Sequence, residues 1–302
     1  MIYEWQYDGE QEILLRTFLR NQGFSKRLLA EVKFHGGQMW LNGEEQTVRA
    51  WVKKGDFIKV LVPDEGEHET TVPSDVPITI LYEDDHFLIV NKPAGVASIP
   101  SRQQPNLSMA NRVKGYYQRQ GYKDQVIHIV TRLDRDTTGN MLFAKNAYTH
   151  ALMDQQLRAK TVEKIYYAIL AETNALPETH GLIDAPIGRT DDSIINRMVR
   201  EDGKPALTEY WIEEQYPEGD LIRLKLHTGR THQIRVHLTH AGSPLLGDDL
   251  YGGRLDPLID RQALHCKELS FLHPFTKEVL KIESELPPDF QDWISEQKKG
   301  GR

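Results

Sequence analysis

Cysteine is nearly absent from this chain: Cys266 stands alone among 302 residues, so no internal disulfide can brace the fold and stability must come from apolar burial. Long apolar runs are missing too. None approaches the ~18 residues that a bilayer-spanning helix needs, and the start, Met1-Ile2-Tyr3-Glu4, lacks the basic and apolar regions of a secretion signal. Such a chain is expected in the cytoplasm. Basic residues are absent from one stretch: residues 61–86 hold eight acids (Asp64, Glu65, Glu67, Glu69, Asp75, Glu83, Asp84 and Asp85) and neither Lys nor Arg. The formal charge of -7 is therefore concentrated there, and the rest of the chain is close to neutral. A negative total describes solubility and steering, whereas a groove for a polyanion depends on local charge.

The acidic stretch also carries Pro63, Gly66, Pro73 and Pro77, which mark a boundary. It predicts a small unit over residues 1–63, a solvated spacer over 64–77, a large unit over 78–290 and a tail over 291–302. In the small unit, helical spacing falls at residues 12–21 and 25–34, with Ser25 placed as an N-cap. Short strands follow at 39–41 and 57–61, punctuated by Asn42-Gly43 and Gly55-Asp56. Lys26, Arg27 and Lys33 fall on the second helix, with Arg20 extending the patch; they suit either a solvated face or contacts to phosphates.

The large unit alternates strands and helices without a repeated βαβ period. Strands are predicted at 78–81, 87–90, 127–131, 140–145, 165–171, 207–212, 221–226, 264–271 and 279–282, and helices at 107–120 and 147–159. The class is α+β, with a mixed, largely antiparallel central sheet and flanking helices.

Two segments carry chemistry. Arg132-Leu133-Asp134-Arg135-Asp136-Thr137-Thr138-Gly139 sets two carboxylates and two guanidiniums on a turn that leads into the apolar run Met141-Leu142-Phe143-Ala144. Far along the chain, Leu226-His227-Thr228-Gly229-Arg230-Thr231-His232-Gln233-Ile234-Arg235-Val236-His237-Leu238 gathers basic and amide groups after the strand-like Leu221-Ile222-Arg223-Leu224. Two strand-edge sites of opposite charge point to one cleft.

These segments resemble the Arg-Leu-Asp loop and the Gly-Arg-Thr-His-Gln-Ile-Arg motif of the RluA/RluD-type family of RNA pseudouridine synthases. Further matching pieces occur in order: Tyr82-Glu83-Asp84-Asp85 through Asn91-Lys92-Pro93-Ala94-Gly95, Lys164-Ile165-Tyr166-Tyr167-Ala168, Gly203-Lys204-Pro205-Ala206, Gly247-Asp248-Asp249-Leu250-Tyr251-Gly252, and Leu264-His265 through His273-Pro274-Phe275-Thr276. The resemblance covers residues 78–290, and the first unit is similar to the small RNA-binding domain named after ribosomal protein S-four.

The resemblance implies an isomerase that breaks the bond from ribose carbon 1′ to uracil nitrogen 1, turns the base and rejoins it through carbon 5. Nothing is oxidised or added, so neither cofactor nor metal is expected. Asp134 takes the catalytic position, as nucleophile at carbon 1′ or as base toward the 2′ proton. Arg235 is the family arginine that pairs with it and favours its charged form. Tyr166 is the active-site tyrosine, stacking on uracil and assisting removal of the carbon 5 proton, while Leu226 walls the base pocket and Arg230 is structural or faces phosphate. Arg132 takes the place vacated by an everted base, a role for a planar guanidinium. The implied partner is RNA, ribosomal in the first instance and transfer RNA in the second, and one chain suffices for the reaction.

Thr131, Thr138 and Asn140 depart from the family's usual residues. Three other readings compete: a metal phosphodiesterase using His227, His232, His237 and His240; a glycosidase using Asp134 and Asp136; and a non-catalytic RNA-binding factor. No acid completes a recognised metal spacing around the histidines, and two carboxylates two residues apart on a loop cannot fix the separation a glycosidase needs.

Overall fold

The computed structural model describes residues 1–67, 71–102, 104–191, 193 and 195–300. Its first unit contains β1 (Ile2–Gln6), β2 (Ile13–Leu14), α1 (Leu15–Asn21), α2 (Lys26–Phe34), β3 (Gln38–Leu41), β4 (Glu44–Glu45), β5 (Trp51–Val52) and β6 (Phe57–Leu61). Strands in the order β1-β6-β3-β4 form an antiparallel sheet. Phe18, Leu19, Leu28 and Val32 of the helices pack with Ile58 and Val60 of the sheet. Ser25 caps α2, its side chain accepting the Leu28 N–H at 3.1 Å, as expected. Asn42 and Gly43 both have positive φ, the conformation that the tight β3–β4 turn requires.

The first helix is shorter than its apolar spacing suggests. The amides of Leu15 and Arg16 donate to the carbonyls of Ala50 and Val48, and β2 pairs with β5, so the chain is held extended until Leu15. Tyr148 of a later helix joins this unit's core, with Phe24 4.4 Å away ring to ring.

The larger unit contains β7 (Thr79–Glu83), β8 (Phe87–Lys92), α3 (Met109–Gln120), β9 (His128–Ile129), β10 (Thr138–Ala144), α4 (Ala147–Ala159), β11 (Glu163–Ile169), β12 (His180–Asp184), β13 (Ile187–Arg189), β14 (Arg197–Val199), β15 (Leu207–Tyr216), β16 (Gly219–Leu226), α5 (Gln233–His240), β17 (Leu264–Leu272), β18 (Val279–Glu283) and α6 (Pro288–Gly300). A sheet in the order β12-β15-β16-β11-β17-β10-β8-β7 forms its spine, with β18 on β17 and β9 on β10. The sheet is mixed and largely antiparallel, as the sequence predicts. Among the described residues the parallel ladder is the one between β10 and β17, where Thr138 faces His265 and Gly139 faces Cys266.

That junction is tight. Gly139 has φ +109, and a Cβ there would lie 2.3 Å from the Cys266 carbonyl oxygen. Gly139→Ala is therefore expected to cost about 2–4 kcal/mol, from backbone strain and overpacking together. Thermal unfolding reads this directly, and an unchanged melting temperature would refute the tight junction.

One expectation about segments is refined and one gives way. Asp64, Glu67 and Asp75 of the acidic spacer are exposed, whereas Glu65 is tied to the larger unit; Glu69 lies outside the described residues. Glu65 accepts the Ala147 N–H at the start of α4 and lies 2.8 Å from His128, while its own amide donates to Asp124. Glu83 accepts from Tyr116 and Tyr122 and pairs with Lys145 at 2.7 Å. Residues 291–302, read as a tail, instead supply most of α6 as far as Gly300. Phe290 and Trp293, three apart, are fully buried against Ile169 and Tyr216, which fastens that helix to the sheet.

Candidate active site

A cleft of about 440 Å³ opens beside the β10–β17 junction. Asp134, Tyr166 and Arg235, far apart in sequence, all line it, as do Arg132, Leu226 and Arg230. Arg20, Lys26, Arg27 and Lys33 do not reach it; they sit exposed on the helices of the first unit.

The loop that presents Asp134 is held by its backbone. Ser98 Oγ donates to the Leu133 carbonyl and accepts its N–H, and the Thr137 N–H donates to the Asp134 carbonyl. The buried Lys92 Nζ donates at 2.6 Å to the Arg135 carbonyl and also to those of Pro93 and Val96. Arg261 Nη1 donates at 2.9 Å to the Asp136 carbonyl. Burial pulls the Lys92 ammonium down to about 7, opposed by the nearby carboxylates of Asp136 and Asp134. The Asp134 side chain itself remains 27% exposed in the cleft, so a rigid backbone carries an accessible carboxylate.

Arg235 reaches this carboxylate from α5, with Nη1 3.5 Å from Oδ2. Its strong partner is elsewhere. Nε and Nη2 each donate at 2.7 Å to the two oxygens of Asp248, whose side chain is fully buried. The Tyr251 ring lies 4.8 Å below the guanidinium carbon. Burial lowers the pKa of Arg235, but the hydrogen bonds and charge of Asp248 outweigh it and the net shift is upward. Asp248 thus fixes the arginine so that its remaining N–H faces Asp134, a bidentate arrangement in which Arg has no substitute.

The motif around Arg235 folds as a turn into α5, a helix the sequence reading did not anticipate. Gln233 makes the turn: its carbonyl oxygen accepts from Thr228 Oγ1 and the Arg230 N–H, and its amide donates to the Leu207 carbonyl and Thr208 Oγ1. Arg230 Nε donates to the Pro205 carbonyl, which supports the structural reading of that residue.

Tyr166 and Tyr167 face opposite sides of β11, Tyr166 toward the cleft. Burial pushes the Tyr166 phenol well above its usual pKa, so it stays protonated and offers a ring face and a donor, not a phenolate. Lys164, two residues earlier on the same face, also lines the cleft, and burial lowers its pKa. Of the three departures, Thr131 accepts the Leu142 N–H, Thr138 bonds His265 at 2.8 Å, and Asn140 donates to the carbonyls of Lys267 and Ile282. Thr138 and Asn140 brace the β10–β17 junction beneath the site, and Thr131 ties the approach to the Asp134 loop onto β10.

The competing constellations are occupied otherwise. His237 bonds Thr208 and the Ala185 carbonyl, His227 bonds Glu209, and His232 bonds Tyr251. Asp136 is paired with Arg135 at 2.9 Å.

With this geometry in hand, comparison with known proteins is decisive. The RNA pseudouridylate synthase family profile matches residues 86–240. An RNA pseudouridine synthase of Bacillus subtilis, YjbO, is 44% identical over 280 residues, which is 93% of this chain and 98% of that protein. This chain belongs to the RluA/RluD-type family of RNA pseudouridine synthases. The ribosomal large subunit pseudouridine synthase D of Xanthomonas campestris is 34% identical over 90% of this chain and 84% of its own length. Human RNA pseudouridylate synthase domain containing 1 superposes with a TM-score of 0.58 at 26% identity, over 69% of this chain and 83% of that one. As a pseudouridine synthase, the protein is an isomerase that converts uridine in RNA to pseudouridine.

The sequence reading missed Asp248, His232, Tyr251 and Lys92 as parts of the site. A signal existed for the first: an arginine buried beside one carboxylate that stays partly in solvent needs a second, buried acid, and Asp248-Asp249 was one of two acidic runs in the remaining motifs, beside Glu83-Asp84-Asp85.

Proposed function

We propose that this isomerase modifies ribosomal RNA in the cytoplasm through Asp134, without a cofactor. The observation that carries the catalytic assignment is the accessible Asp134 carboxylate on a pinned loop, with the Arg235 guanidinium 3.5 Å away and itself anchored by Asp248. Asp134 acts on the ribose, either forming a bond to carbon 1′ or taking the 2′ proton. The electrons of the carbon 1′–nitrogen 1 bond leave with the uracil. The ring then turns and carbon 5 joins carbon 1′ as the Asp134 carboxylate leaves that carbon, or returns the 2′ proton; the carbon 5 proton is lost and nitrogen 1 gains one. Arg235 stabilises the carboxylate. Tyr166 and Leu226 form the wall against which the detached uracil turns, the phenol as donor.

Two observations support ribosomal RNA: the name of the Xanthomonas relative, and the first unit's exposed Arg20, Lys26, Arg27 and Lys33, a basic patch of the kind an S-four-like domain turns toward phosphates. Comparing pseudouridine maps of cellular RNA with and without the gene tests this. One or more ribosomal RNA uridines should lose modification; loss confined to transfer RNA would overturn it.

Arg132 stands exposed at the cleft rim, ready to enter the stack when a base leaves it. Arg132→Ala is expected to lower kcat/KM about 10–100-fold on a stem substrate, from lost stacking worth about 1–3 kcal/mol. The effect should be smaller on an unpaired oligonucleotide, and equal effects on both would remove this role.

A further inference from the structure

His232 sits at the entry to α5 in a left-handed conformation, φ 56 and ψ 21, which a side chain other than glycine adopts at a cost. The position would suit a helix-capping side chain, yet its imidazole caps nothing. The ring points into the cleft, with Nε2 4.0 Å from Asp134 Oδ1 and Nδ1 2.8 Å from the Tyr251 hydroxyl. That hydroxyl already accepts the Arg197 N–H at 3.1 Å. Its own proton can then be given to Nδ1, the arrangement in which the imidazole proton lies on Nε2, facing the carboxylate.

Burial lowers the His232 pKa, and Arg235 and Arg197 reinforce this against the carboxylates of Asp134 and Asp248. The ring is neutral at pH 7, with a single N–H. The two oxygens of Asp134 then have one facing donor each: Arg235 at Oδ2 and His232 at Oδ1. Both distances exceed hydrogen-bond length, as expected of a site that tightens when substrate closes it.

We propose that His232 is a positioning residue for Asp134: its Nε2–H, oriented by Tyr251, holds Oδ1 and sets the carboxylate's rotation toward the ribose. Arg235 alone leaves the carboxylate free to turn about its last bond; two donors on different oxygens fix its plane. The backbone strain at His232 aims the ring, a use to which a capping residue could not be put.

This inference rests on the catalytic reading of Asp134, and the test separates the two. In the full-length enzyme acting on an RNA substrate, His232→Leu should lower kcat about 30–100-fold with KM changed less than about threefold, the size expected when a reacting group is misplaced by roughly 1 Å. His232→Gln, whose amide can place an N–H near Oδ1, should recover kcat to within about tenfold of the original. Independently of activity, nitrogen NMR of labelled histidine at pH 7 should show His232 protonated at Nε2 and bare at Nδ1, and in Tyr251→Phe this preference should be lost. Unaltered kcat in His232→Leu, equal losses in the Leu and Gln variants, or a proton found on Nδ1 would each overturn the proposal. If Asp134→Asn remains active, the catalytic reading itself fails; if only the His232 results fail, that reading stands.

Discussion

Asp134→Asn is expected to leave an enzyme that binds RNA and melts where the original does, yet forms pseudouridine at least about 10³-fold more slowly. The dissociation between stability and activity follows from the site's geometry. Arg235 satisfies its charge on Asp248 at 2.7 Å and meets Asp134 only at 3.5 Å, so an uncharged amide at residue 134 strands no buried cation. The stability change should stay below about 1 kcal/mol, as for a partly exposed pair. Pseudouridine mapping after incubation with unmodified RNA measures the loss. Modification equal to that of the unaltered enzyme would remove Asp134 from the mechanism.

Asp248→Asn should behave in the opposite sense. Asp248 is wholly buried and holds Arg235 through both oxygens, so the substitution leaves a buried guanidinium without its counter-charge. Removing one partner of such a pair costs about 3–5 kcal/mol. Denaturant unfolding should show that loss, and activity should fall with it because Arg235 no longer faces Asp134. A variant of near-normal stability would mean that water replaces the carboxylate and that Asp248 does not anchor the arginine.

The contrast also marks what sequence can express. Asp134, Tyr166 and Arg235 were legible because each sits in a motif of its own, and the cleft brings all three together. Helix 147–159 and strand 57–61 were legible because their apolar periodicity is local and intact. Helix α5 was not, because Arg235 and His237 occupy its buried face and disguise the pattern. Their partners Asp248 and Thr208 lie 13 and 29 residues away, beyond any periodic window. The same holds for Glu65, which reads as spacer until His128 and the Ala147 amide are beside it. For α6, Phe290, Trp293 and Ile294 offered an apolar stripe at helical spacing that composition alone, rich in Gln, Lys and Asp, obscured.

Strand β17 lies between β10 and β11, although it is made from residues 264–272. The two walls of the cleft, one bearing Asp134 and the other Tyr166, are therefore joined by a segment that follows both of them in the chain. A nascent polypeptide still short of that segment holds the reactive acid on an unfinished edge, with no opposing wall. Until residues 264–272 are in place, the cleft cannot assemble its second wall, and the carboxylate alone makes no active site.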